Sequence, residues 1–284
     1  MKDKSISIAI PASVVSDTPH LREKTSKVGL IGRAAAIFGV DEIIIYRDNP
    51  EFDQRGDMDL IATLLSYMET PQYLRKKLFR LSPELRYAGI LPPLRTPHHP
   101  LTRRVSELKV GEYREGVVLS NTRNGAVVDI GVEKPALVPN TRLTLGRRVT
   151  VKVVVINEHL VAEIAGRQDI PNYWGYVVTR WNKSLGMLVK DRRFDVKIAT
   201  SKYGASFNSL RGMICDRWRE AKTVLIAFGA PSQGLHEIVK QEGLTLENIM
   251  DFVVNLVPGQ KTETVRTEEA LLISLAVLNM TFDA

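Results

Sequence analysis

Apolar residues along this chain follow two rhythms, and the rhythm changes twice. In the first ninety or so positions, short apolar runs alternate with stretches of helical spacing. SISIAI (Ser5–Ile10) predicts a strand that ends at Pro11. From Glu23 to Phe38, the residues Val28, Ile31, Ala35 and Phe38 lie on one face of a helix that Gly39 stops. EIIIY (Glu42–Tyr46) predicts a second strand, Met58–Met68 a second helix, and Pro71 opens a further, basic helix. Strand, helix, strand, helix is the order of a parallel sheet with crossover helices.

The pattern breaks at GILPPLRTPHHP (Gly89–Pro100), whose prolines make a linker or a pinned extended segment. Beyond it, Gly111–Asn140 and Gly146–Ala165 carry valine-rich runs broken by Asn-Gly and single glycines, which predicts a small antiparallel barrel. The first rhythm then returns. After Tyr173–Arg180, the run VKIATS (Val196–Ser201) reads as a strand, Ser206–Ala221 as a helix and TVLIAF (Thr223–Phe228) as a strand. Leu235–Lys240 reads as a short helix, Asp251–Val257 as a strand and Arg266–Leu278 as a long final helix. The simplest architecture is one α/β domain interrupted by a barrel: 1–92 and 167–284 form the α/β domain, and 93–166 the insert with its linker.

Composition narrows the chemistry. Of 284 residues, 44% are hydrophobic and 25% charged, the balance of a globular chain. A single cysteine, Cys215, excludes an intrachain disulfide framework and any cysteine-based metal site, and suits a reducing compartment. His98 and His99 are adjacent, but they lack further ligands at metal-binding spacing, so no metal is expected. The N-terminal apolar run is too short to span a membrane, and the expected location is cytoplasmic.

The net charge is +7, and its distribution says more than its size. Arg75–Arg104 holds eight basic residues against one acid, and Arg180–Lys222 eleven against four. Two basic stretches flanking a nearly neutral barrel suggest a nucleic-acid footprint; a solvated basic surface is the plainer alternative. Within the barrel, Tyr113 and Arg123 are candidates for stacking and phosphate contact, or ordinary surface residues.

Two loops carry the candidate chemistry. FGAPSQGL (Phe228–Leu235) and LVPGQKTET (Leu256–Thr264) each follow an apolar strand, the position where open parallel sheets collect ligands. Neither holds the GxGxxG spacing of a dinucleotide site or the GxxxxGK[ST] order of a phosphate loop, which disfavours both. Thr267, Glu268 and Glu269 have the makings of a helix first turn. Arg266, beside the loops, either meets an RNA phosphate, positions a reacting group, or pairs with Glu263 or Glu269.

The segments AFGAPSQGL and NLVPGQKTETVRTEEALLISLAVLN, together with TxRTEEA and YWGY (Tyr173–Tyr176), resemble the cofactor half of the SPOUT superfamily of RNA methyltransferases. More narrowly, nearly the whole chain resembles an archaeal and eukaryotic family in which an OB-like barrel interrupts the SPOUT domain. The resemblance implies a trefoil-knotted α/β fold, S-adenosylmethionine as cofactor, an RNA substrate and a homodimer. Structured ribosomal RNA is the expected target. It places Phe228, Gly229, Gly234 and Leu235 on one wall of the cofactor pocket, and Leu256, Val257, Pro258 and Gly259 on another. Thr264 and Thr267 stand at the final passage of the knot.

Arg33 sits where the ribose-methylating branch has its first-motif arginine, but the upstream EKTSK has no asparagine. Arg33 is thus a substrate-phosphate or reaction-centre residue, or one partner of a helix-surface salt bridge. Methyl transfer needs alignment and removal of one target proton. Arg33, Glu263 and Glu268 are the candidates to assist that proton's departure, and the sequence does not choose between them; Arg266 joins the reaction candidates as a phosphate-binding or positioning residue. The alternative function is a non-catalytic RNA-binding or ribonucleoprotein-assembly protein that keeps the methyltransferase fold.

Overall fold

The computed structural model describes residues 4–282. Its first half runs β1 (Ser5–Pro11), α1 (Leu21–Ile37), β2 (Glu42–Tyr46), α2 (Arg55–Glu69) and α3 (Gln72–Leu78). Five strands follow: β3 (Tyr113–Thr122), β4 (Gly125–Asp129), β5 (Ala136–Pro139), β6 (Arg148–Ile156) and β7 (Leu160–Ile164). Then come β8 (Val177–Trp181), α4 (Leu185–Asp191), β9 (Val196–Ser206), α5 (Phe207–Glu220) and β10 (Thr223–Ala227). The chain ends with α6 (Leu235–Lys240), α7 (Leu246–Ile249), β11 (Phe252–Asn255) and α8 (Thr267–Phe282). These elements form two compact units: Glu69–Ser82 with Leu94–Gly175, and the rest.

The larger unit is a six-stranded sheet in the order β11-β9-β10-β1-β2-β8, with every neighbouring pair parallel. Runs such as IAI and III are apolar on both faces because the sheet is covered on both. Ala9, Ile44, Leu225 and Ala227 pack with Leu185, Leu188, Leu235 and Ile238 on one face. Ile8, Ile10, Ile43 and Ile45 alternate with them, face the other way and are equally buried. β8, whose residues are half-exposed or exposed, is an edge strand.

Local signals explain the helix ends. The His20 side chain accepts from the backbone N–H of Arg22 to cap α1, and Gly39 takes φ +63° just past its end. β9 runs to Ser206, five residues beyond the apolar run VKIATS that predicts it, because its second part follows β11 rather than the core.

In the smaller unit, β3-β4-β5-β7-β6 close into a barrel, the inserted OB-like module of the fold. Alternate valines fill it: Val118, Val128, Val138, Val151 and Val153. The Asn-Gly turn joins β3 to β4; Gly125 has φ +146°, and a Cβ there would lie 2.1 Å from the Val138 carbonyl oxygen. Arg114 is wholly buried, its guanidinium donating to the carbonyls of Ile130 and Thr102. The adjacent histidines are consumed locally: Nε2 of His98 and Nε2 of His99 lie 2.9 and 2.6 Å from the Glu69 carbonyl oxygen. Burial, then the neighbouring His98, push His99 down to about 4. Tyr113 donates to the Asp169 carbonyl at 2.7 Å, so its hydroxyl is spent within the unit.

Candidate functional site

The carboxyl ends of β9, β10 and β11 open onto one cavity of about 310 Å³ in the α/β unit. The loop after β10 is its first wall. Tyr46 Oη donates to the Phe228 carbonyl at 2.8 Å, and the Phe228 N–H donates to the Ala9 carbonyl at 2.9 Å. Burial, then the charges of Asp48 and Glu242, raise Tyr46 well above the ordinary phenol range, which keeps it a neutral donor. An internal bond from Ala230 N to Gln233 O (2.8 Å) folds the loop back on itself. This fold is why Gly229 must be small: a Cβ there would stand 3.2 Å from Gln233 O, Gly234 Cα and Leu235 N.

The second wall follows β11. Asn255 Oδ1 accepts from Val257 N (3.0 Å), and its Nδ2 donates to the Lys202 carbonyl (3.0 Å). Gln260 bonds to the carbonyls of Thr262 and Glu263, so the loop is shaped by its own polar groups. The two walls are tied together where α8 begins: Thr267 Oγ1 donates to the Gly229 carbonyl at 2.9 Å.

A third wall was not legible in the sequence. β11 pairs Val253 with Ala199 and then Val254 with Ala205, so Thr200 to Gly204 are extruded from the ladder in a single step. Thr200, Ser201, Lys202 and Tyr203 thereby line the cavity. Gly204 permits this, since a Cβ there would come within 2.7 Å of the Val253 carbonyl and the Val254 nitrogen. Gly204 is the one local signal, and it marks a bulge only once its partner strand is known.

Of the expected cofactor residues, Phe228, Gly229, Gly234 and Leu235 lie in the lining, as do Leu256, Val257, Thr264 and Thr267. Pro258 and Gly259 do not; they are exposed at a turn where Gly259 takes φ +71°. None of the four reaction candidates lines the cavity. Arg33 is half-buried on α1 and donates to the Pro93 carbonyl at 2.8 Å. Glu263 and Arg266 are exposed, and the Arg266 N–H is capped by Glu269 at 3.0 Å. Glu268 is buried 3.5 Å from Lys27 Nζ, which also grips Asp17 at 2.6 Å; among the described residues its Oε2 has no hydrogen-bond partner. The second basic stretch is partly spent on ion pairs: Arg192 grips Glu42 with two bonds of 2.9 and 2.8 Å, and Arg180 pairs with Asp59.

The cavity suits an uncharged heterocycle with a polar tail. Apolar side chains (Phe228, Leu235, Leu256) stand beside backbone-rich loops and hydroxyls, and Glu237 contributes a carboxylate able to accept from sugar hydroxyls. The parallel sheet interrupted by a closed barrel is the SPOUT-like α/β architecture of methyltransferases whose cofactor is S-adenosylmethionine.

Residues 5–278 match the family model described as "Putative RNA methyltransferase", and the chain belongs to that family. A Drosophila melanogaster protein named 28S rRNA (uridine-N(3))-methyltransferase is 33% identical over 98% of this chain, which spans 63% of the fly protein's length. The Homo sapiens protein of the same name is 31% identical, covering 96% of this chain and 77% of its own. An uncharacterized Halobacterium salinarum protein is 33% identical over 97% of this chain and 99% of its own length.

Proposed function

We propose that this chain transfers a methyl group from S-adenosylmethionine to N3 of a uridine in ribosomal RNA. The observation that carries the reading is its likeness, over nearly its whole length, to the fly and human proteins named for that reaction. The three-walled cavity supports it with a site of suitable size and lining.

In this reading Phe228, Gly229, Gly234 and Leu235 cradle one side of the cofactor, and Leu256, Val257, Thr264 and Thr267 the other. Pro258 and Gly259 shape the second loop without touching the ligand. Arg33 and Arg266 contact RNA phosphates, which need only a positive group near the surface. The segment 93–166, containing the barrel, holds the RNA and leaves the α/β segments 1–92 and 167–284 to the cofactor. The protein works as a cytoplasmic homodimer; Leu30 and Ile37 on α1, and Leu272 and Met280 on α8, are exposed apolar residues that a second copy would cover.

The test uses ribosomal RNA from cells lacking the gene, purified protein and methyl-labelled cofactor. Nucleoside mass spectrometry is expected to find label in N3-methyluridine. Label on a ribose, or none while calorimetry detects cofactor binding, refutes the uridine assignment.

A further inference from the structure

The N3 position of uridine carries a proton, and that proton must leave as the methyl arrives. Arg33, Glu263 and Glu268, expected to help it leave, stand outside the cavity lining, and so does Arg266; a group that lines the cavity is the better placed base. The extruded segment of β9 supplies one. Ser201 lines the cavity, and its Oγ lies 3.3 Å from Nδ1 of His236 at the start of α6. On the far side of the ring, His236 Nε2 lies 2.9 Å from Oε1 of Glu247 on α7. The Tyr203 backbone N–H donates to Ser201 Oγ at 3.2 Å.

With the imidazole neutral, the state in which it can take a proton, these contacts allow one set of directions. A carboxylate only accepts, so Nε2 carries the ring proton and Nδ1 presents a lone pair. Ser201 Oγ accepts from Tyr203 and is left to donate its own proton to Nδ1. The Glu247 carboxyl is held below the usual range by its own backbone N–H and by His236, which keeps it an acceptor. The Tyr203 ring stands edge-on at 6.3 Å from the imidazole. A hydroxyl facing a cleft, backed by an imidazole that a carboxylate orients, is an arrangement that moves protons.

We propose that Ser201, His236 and Glu247 form the proton relay of the methyl transfer, an inference that rests on the uridine-N3 reading above. As the N3–carbon bond forms and the sulfonium–carbon bond breaks, the N3 proton passes to Ser201 Oγ. The Ser201 proton passes to His236 Nδ1, and the imidazolium is stabilised by Glu247. The products are N3-methyluridine, S-adenosylhomocysteine and a protonated His236 that discharges to solvent. Glu237, the acidic residue of the lining, is the rival base. A Cβ on Gly234 would lie 2.8 Å from its Oε2, so this carboxylate is folded back on its own loop.

Single-turnover methylation of ribosomal RNA by full-length His236→Gln, Ser201→Ala and Glu237→Gln tests the relay, with cofactor affinity measured in parallel. His236→Gln and Ser201→Ala are expected to slow transfer by about 10²-fold or more, with cofactor Kd within threefold of wild type. Their double variant should be no slower than the worse single one, because the residues act as a unit. RNA carrying 5-fluorouridine, whose N3 proton is more acidic, should restore much of the lost rate in His236→Gln and change wild type little. Nitrogen-15 NMR of the wild-type protein should find His236 protonated at Nε2 alone, and Glu247→Gln should mix the two tautomers. A His236→Gln rate within threefold of wild type overturns the relay, as does fluorouridine rescue confined to Glu237→Gln. So does a wild-type ring protonated at Nδ1, a reading that needs no variant to fold. Absence of N3-methyluridine from the wild-type reaction instead overturns the uridine reading.

Discussion

Replacing Arg148 by alanine should destabilise the barrel unit by about 3 kcal/mol. Arg148 Nη1 and Nη2 hold the two oxygens of Glu69 at 2.6 and 3.0 Å, and its Nε holds Glu115 at 2.5 Å. Removing it leaves two buried carboxylates without their shared cation. Breaking such a buried pair typically costs 3–5 kcal/mol. The lower end applies because other donors remain: His98 Nε2 lies 3.1 Å from Glu69, while Thr150 (2.6 Å) and the Trp174 indole (2.5 Å) bond to Glu115.

The titration of Glu69 points the same way. Burial raises the Glu69 pKa, but the hydrogen bonds from His98 and Arg148 outweigh it and bring the group from 4.5 to about 2. At 1.36 kcal/mol per unit, that depression corresponds to roughly 3 kcal/mol, held by Arg148 and His98 together. The sign follows from linkage. A folded-state pKa below the unfolded value contributes stability that is complete above about 4.5 and is lost as pH falls towards about 2. The assay is hydrogen exchange of β3 and β6 amides in increasing urea, which follows this unit alone. Arg148→Ala should lower its opening free energy and flatten its decline between pH 4.5 and 2. A loss below about 1 kcal/mol, or an acid decline as steep as in wild type, refutes the reasoning.

Three further outcomes concern the cavity. Gly204→Ala forces a Cβ to within 2.7 Å of β11 backbone, so β9 and β11 must separate; calorimetry should find a lower Tm and cofactor binding lost, and wild-type behaviour would deny the bulge its role. Gly229→Ala should weaken the cofactor by about tenfold, or 1.4 kcal/mol, because three backbone neighbours at 3.2 Å must shift. At Gly234 the same change meets only the end of Glu237, and a larger effect there would reverse the assignment. Thr267→Val removes the bond from Oγ1 to the Gly229 carbonyl, at a cost of about 1 kcal/mol in thermal unfolding. An unchanged Tm would mean that the two walls hold together without it.

What the sequence could and could not reveal follows from the range of the interactions. EIIIY, SISIAI and TVLIA are short, rich in apolar residues and bounded by turn residues, so their strand character is local. The barrel was legible for the same reason, through its valines and an Asn-Gly turn whose geometry only glycine satisfies. The walls after β10 and β11 were readable as glycine-bearing loops at strand ends. The wall from β9 was not, because Thr200–Gly204 continue the strand's composition and are extruded only by the register of β11 some fifty residues later. The four reaction candidates stand outside the cavity lining for a related reason. Arg33, Glu263 and Arg266 are charged residues near a motif in sequence, but loop geometry turns Glu263 and Arg266 to the surface and Arg33 is held half-buried against the Pro93 carbonyl.

That contrast bears on where proton-transfer chemistry sits in this fold. A charged residue in a loop is stable facing water, so charge near a motif says little about who faces the ligand. A hydroxyl, a histidine and a carboxylate drawn from β9, α6 and α7 carry no spacing signature, because the sheet brings them together. The same extrusion that opens the cavity presents Ser201 to it, and Leu235, the residue preceding His236, forms part of the opposite loop's wall. The cofactor pocket and the proton relay are therefore mechanically one object. A change that resets the β9–β11 register, such as Gly204→Ala, should disable both together, whereas His236→Gln should separate them.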